Sequence, residues 1–122
     1  MAKKIMVLDD ESNTVELVKA VLEIGGFEVL PFTEPNAALE HLEKGDLPDL
    51  MLLDMRMPAI SGPDLCDKLA QNPKFRELKI VFFTASSDFD RGLLQKHGVK
   101  GFIFKPFDND GLVAEVKKYL GI

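Results

Sequence analysis

Five residues of this chain have the types and positions for a reaction: Asp9, Asp10, Asp54, Thr84 and Lys105. Each follows a run of apolar residues, Ile5 to Leu8 before the first pair, Leu50 to Leu53, Ile80 to Phe83, and Phe102 to Phe104. Three carboxylates brought close repel one another unless a cation or proton intervenes. A site of oxygen ligands without Cys or His favours a hard ion, most simply Mg²⁺, which keeps waters and accepts a phosphate oxygen. A lysine beside it supplies positive charge for that phosphate, and a threonine hydroxyl supplies a hydrogen bond. A carboxylate in line can attack phosphorus and form an aspartyl phosphate. Any two of these residues would equally suit a surface acidic cluster with an unrelated lysine. All five at matching chain positions favour phosphoryl transfer onto an aspartate.

The positions match because of the elements that carry them. Short uninterrupted apolar runs read as strands buried on both faces. Between them lie helical patterns. Val15, Leu17, Val18, Val21 and Leu22 follow a cap at Ser12 or Asn13 and end at Gly25-Gly26. Ala38, Leu39 and Leu42 follow Thr33-Glu34-Pro35 and close at Gly45. Gly62-Pro63 opens a helix with Leu65, Cys66, Leu69 and Ala70 on one face. Asp88 to His97 is a weaker helix, with Leu93 and Leu94 but also Gly92, which costs about 1 kcal/mol relative to Ala. Asp108 caps a last helix with Leu112, Val113, Val116 and Leu120 on its buried face. Phe27 to Phe32 is a further strand, placed at a sheet edge by Pro31, which has no N–H to donate. Five alternations of strand and helix imply a parallel sheet covered on both faces. In the doubly wound order of five strands, the first and third lie side by side, so Asp9, Asp10 and Asp54 converge at one crevice. Thr84 and Lys105 end the neighbouring strands on the same edge.

At these residues the chain resembles the receiver domain of two-component response regulators, the chemotaxis-regulator type. The resemblance spans essentially all 122 residues. It is carried by Leu8-Asp9-Asp10-Glu11, Pro48-Asp49-Leu50 through Leu53-Asp54, Met57-Pro58 with Gly62, Thr84-Ala85 and Lys105-Pro106-Phe107. It implies one receiver domain over residues 1–122, an α/β doubly wound (βα)₅ fold with a five-stranded parallel sheet in the order 2-1-3-4-5. It implies Asp54 as phospho-acceptor, Asp10 as a direct Mg²⁺ ligand, Asp9 as a ligand through water and the Arg56 backbone carbonyl as a further ligand. Thr84, Ala85 and Lys105 would bind the phosphoryl group, and the Lys105-Pro106 bond would be cis. Thr84 and Phe102 match the two switch positions. The phosphoryl group would come from a phosphohistidine on a sensor histidine kinase or phosphotransfer protein. A downstream protein would read the switch on the face of the fourth helix, fifth strand and last helix, including Arg91, Lys100 and Lys117. Arg56 and Ser86, each two residues past a site residue, would tune the phosphoryl lifetime. Phe102 stands where the family frequently has Tyr, Ala59 where Gly is common, and Gly111 weakens the first turn of the last helix. The stretch from Thr84 to Gly98 is about one residue shorter than usual.

A net charge of −5, with lysines scattered, argues against nucleic acid or anionic membrane as a direct partner. No apolar run reaches spanning length and none forms a signal peptide, so membrane insertion is not expected. One cysteine suits a reducing cytoplasm. Cys66 reads as inert core, and His41 and His97 as surface helix residues. The leading reading is a stand-alone phosphorylation-switched interaction module rather than an enzyme. A Mg²⁺-dependent phosphohydrolase with an aspartyl nucleophile competes with it, but Asp54-Met55-Arg56 lacks a second Asp two residues on. A flavin mononucleotide carrier is disfavoured because Asp9 to Asn13 is acidic, wrong for a phosphate cradle. The chain stops two residues past Leu120, compatible with a natural end or with the edge of a longer regulator.

Overall fold

The computed structural model describes residues 2–45, 47–85 and 90–122. Strands β1 (Lys4–Leu8), β2 (Glu28–Phe32), β3 (Leu50–Asp54), β4 (Ile80–Ala85) and β5 (Val99–Lys105) form one parallel sheet in the order β2-β1-β3-β4-β5. Helices α1 (Ser12–Ile24), α2 (Pro35–Lys44), α3 (Gly62–Ala70) and α4 (Asn109–Leu120) cover it, with short 3₁₀ turns at Pro73–Phe75 and Arg91–Gln95. The apolar runs are continuous because both sheet faces are buried. Met6, Leu8, Met51, Leu53, Ile80, Phe82 and Phe102 pack on the side of α2 and α3. Ile5, Val7, Leu50, Leu52, Val81, Phe83 and Ile103 pack on the side of α1 and α4. β2 is an edge strand, so no neighbour on its outer side needs the N–H that Pro31 lacks. No helix among the described residues is long and apolar enough to cross a membrane.

Four local expectations are corrected. α1 starts one residue early, with Glu11 as its N-cap, because the Asp9 carboxylate takes the Glu11 N–H at 3.0 Å and turns the chain directly into the helix. β5 begins at Val99, since its ladder with β4 runs from Ile80↔Val99 to Ala85↔Lys105. The expected helix over 88–97 is a 3₁₀ turn at Arg91–Gln95, while Asp88 lies outside the described residues. Among the described residues of this stretch Leu93 is buried and Leu94 exposed, and Lys96 is already extended at ψ 145°. Too little apolar surface is covered there to hold a longer helix. His97 consequently sits in a turn, where its Nε2 lies 2.9 Å from the Arg76 carbonyl oxygen.

Candidate functional site at the carboxyl edge of the sheet

The strand register determines which residues meet. Leu8 is level with Leu53, so Asp9 and Asp54 emerge side by side. Asp54 is level with Phe83, and Ala85 with Lys105. Carboxylate oxygens of Asp9, Asp10 and Asp54 lie within 4.8 Å of one another. Asp9 is fully buried and Asp54 nearly so, whereas Asp10 is exposed. Lys105 Nζ donates to Asp9 Oδ2 at 2.7 Å and to Asp54 Oδ1 at 3.3 Å. Thr84 is buried and its Oγ1 donates to the Ala85 carbonyl at 2.9 Å. The Lys105-Pro106 peptide bond is cis.

Burial, then the neighbouring Asp9 charge, raise the Asp54 carboxyl against the opposing pull of Lys105, and together they leave it pushed up to about 6. Burial works to lower the Lys105 pKa, but its bond to Asp9 and the charges of Asp54 and Asp9 outweigh that, and the net direction is upward. The ammonium is therefore retained and carries one positive charge against three carboxylates. That donor set, oxygen only and short of positive charge, fits a hard divalent cation.

The loop from Met55 to Ser61 closes tightly over the end of β3. Gly62 N donates to the Met55 carbonyl at 3.0 Å. A Cβ on Gly62 would stand 2.2 Å from the Asp54 carbonyl oxygen, so this approach requires glycine. Ser61 then caps α3, accepting from Asp64 N at 3.1 Å. Arg56 is exposed, two residues past Asp54, while Ser86 lies outside the described residues. Phe102 is buried, three ladder positions before β5 reaches Lys105, and stacks on Phe82 at 6.0 Å. Arg91, Lys100 and Lys117 are all exposed.

Two features escaped sequence reasoning. Phe83 and Phe107 form an aromatic pair against Lys105, and only the register of the folded sheet brings them there. Tyr119 of α4 lies over Gly101, its hydroxyl donating to the Phe102 carbonyl at 3.2 Å and accepting from Phe102 N at 3.3 Å. Cys66 behaves as expected of a core thiol: it is buried, and burial pushes it up to about 11.

The response regulator receiver domain model matches residues 5–117. The chain belongs to that family. It is 37% identical over 123 residues to the phosphate regulon transcriptional regulatory protein PhoB of Rhizobium meliloti, covering 98% of this chain and 53% of that protein. It is 34% identical over 121 residues to the alkaline phosphatase synthesis transcriptional regulatory protein PhoP of Bacillus subtilis, covering 98% and 49%. This receiver domain thus spans about half the length of those regulators. Among solved structures, a CheY-like response regulator receiver domain protein from Methanospirillum hungatei superposes with a TM-score of 0.85 at 29% identity, over 98% of this chain and 94% of that one. Receiver domains are signalling proteins that work with histidine kinases or phosphotransfer proteins and bind Mg²⁺ at an acidic pocket, and Asp9, Asp10 and Asp54 form such a group here.

Proposed function

We propose that residues 1–122 act as one receiver domain that takes a phosphoryl group onto Asp54 from the phosphohistidine of a sensor histidine kinase or phosphotransfer protein. The observation that carries this reading is Lys105 Nζ bonded to both Asp9 and Asp54, inside a trio of carboxylates at one strand edge. An Asp54 oxygen attacks phosphorus, the bond to the donor imidazole breaks, and the imidazole leaves with its electron pair and takes up a proton. A carboxyl that titrates at about 6 is mostly ionised at pH 7, as the nucleophile must be. Asp10 directly, Asp9 through water, Asp54 and the Arg56 carbonyl would hold Mg²⁺. Bound there, the ion would neutralise charge on the transferring oxygens.

Lys105, the Thr84 hydroxyl and Ala85 would receive the phosphoryl oxygens. Arg56, exposed at the rim, would tune access of the hydrolysing water, as would Ser86. Output follows from Thr84 releasing the Ala85 carbonyl and turning toward the phosphoryl group, with Phe102 moving in response. The surface presented to a downstream protein is the Arg91–Gln95 turn, β5 and α4. The test is transfer from a radiolabelled, autophosphorylated kinase: label should move to this chain in the presence of Mg²⁺ and be released by hydroxylamine. Label that stays on every kinase and phosphotransfer protein tried, or that resists hydroxylamine, would contradict the proposal.

A further inference from the structure

Lys105 meets the two carboxylates on one side and an aromatic ring on another: its Nζ stands over the Phe83 ring, 5.8 Å from the centroid. Phe83 is fully buried in β4, immediately before Thr84 and level with both Asp54 and Ile103. Phe107 stacks on it at 5.6 Å with 24° between the ring planes. The segment from Lys105 to Phe107 therefore meets the same ring twice, once through an ammonium and once through a second ring. The neighbouring Phe82 is equally buried but packs in the core on the other side of the sheet, against Phe102, so of the two rings it is Phe83 that meets the ammonium.

We propose that Phe83 is a positioning residue for phosphoryl transfer, its ring face holding the Lys105 ammonium in line with the group arriving on Asp54. This rests on Asp54 as the phospho-acceptor. The physical need is clear from the two ion-pair distances. Asp9 holds the ammonium at 2.7 Å and Asp54 at 3.3 Å, so charge alone draws a flexible lysine toward Asp9. Once a phosphoryl group is present, Lys105 must exchange a carboxylate oxygen for a phosphoryl oxygen. A ring face attracts the cation without claiming one of its N–H donors, so the contact persists through that exchange. Phe107 keeps the Phe83 ring in the orientation that presents its face.

The experiment grades the electron density of this one ring at nearly constant shape. Position 83 is occupied in turn by phenylalanine and by its 4-fluoro, 3,5-difluoro and pentafluoro analogues, introduced site-specifically, with Phe83→Leu as a fifth variant. Phosphoryl uptake from a small acyl phosphate with Mg²⁺ is followed by intact mass, and thermal unfolding is measured in parallel. The expected result is uptake that slows with each step of fluorination at an unchanged unfolding midpoint, reaching about fivefold for the pentafluoro ring. A rate that stays flat across the fluorinated series overturns the inference and leaves Phe83 a packing residue, even if Phe83→Leu is slow. Failure of the phenylalanine protein itself to gain a phosphoryl group overturns the reading of Asp54 and this inference with it.

Discussion

Asp54 is a carboxylate held where water barely reaches it, beside a second buried carboxylate. Its ionised form is disfavoured in the folded chain, which raises its pKa from 3.8 to about 6. Between those two values the folded protein binds a proton that the unfolded chain does not, so stability falls as pH rises through that window. Asp54→Asn should therefore stabilise the fold at pH 7.5, by on the order of 2 kcal/mol. The gain should shrink as pH falls through about 6 toward 4. Denaturant unfolding of both proteins at several pH values checks it, and a gain that grows on acidification would show that Asp54 is not the strained group. Asp10→Ala should abolish Mg²⁺ binding, because Asp10 is the exposed member of the trio; isothermal titration with Mg²⁺ alone reads this, and an unchanged isotherm would remove Asp10 from the ligand set. The meeting of Asp9, Asp10, Asp54 and Lys105 was legible in the sequence because they follow apolar runs, and parallel strands bring such ends to one edge. Phe83 was not, since inside an apolar run an aromatic that touches a lysine looks like any other core residue.

Elements differ in how plainly their ends were written. Pro35, Gly45, Gly62-Pro63 and Asp108 punctuate α2, α3 and α4 as their backbone chemistry requires, and the structure places those ends accordingly. The Arg91–Gln95 turn was misread because Leu93 and Leu94 imitate a helical pair, while only Leu93 finds a core to enter. What fixes that segment is tertiary: Lys96 Nζ bonds both Asp67 oxygens at 2.7 and 2.9 Å, and Cys66 Sγ lies 3.7 Å from the His97 carbonyl oxygen. No local pattern announces such ties to α3. β5 is held to α4 by Tyr119, for which Gly101 leaves the room: a Cβ there would stand 2.2 Å from the hydroxyl. Tyr119→Phe should destabilise by about 1 kcal/mol through the lost pair of bonds to Phe102. Gly101→Ala should displace the same ring, so the two changes combined should cost clearly less than their sum. Strict additivity in chemical unfolding would show that Gly101 and Tyr119 do not act through one contact. Gly62→Ala should cost more than about 2 kcal/mol, because the clash is with the Asp54 backbone, which cannot rotate away as a side chain can.

At the scale of the whole molecule, the sheet links the carboxylate trio to β5 in two ladder steps, through β3 to β4 and β4 to β5. A phosphoryl group puts about two negative charges and three acceptor oxygens where Asp54 had one carboxylate charge. The neighbour best placed to answer is Thr84, whose hydroxyl holds a local carbonyl, and beyond it Phe102, already buried against Phe82. The 3₁₀ turn buries Leu93 and leaves Leu94 exposed, so it should respond to a bias of a few kcal/mol. A beryllofluoride mimic should alter amide exchange from Asp54 through Thr84 into residues 90–104. Changes confined to α1 and α2 would place the output elsewhere. All of this depends on Asp54 being the acceptor, and one measurement tests that most directly. The chain and its Asp54→Asn variant are incubated with Mg²⁺ and a small acyl phosphate, and their intact masses are compared. The account predicts the gain of one hydroxylamine-labile phosphoryl group on the unmodified chain and none on the variant; an equal gain on both would contradict it.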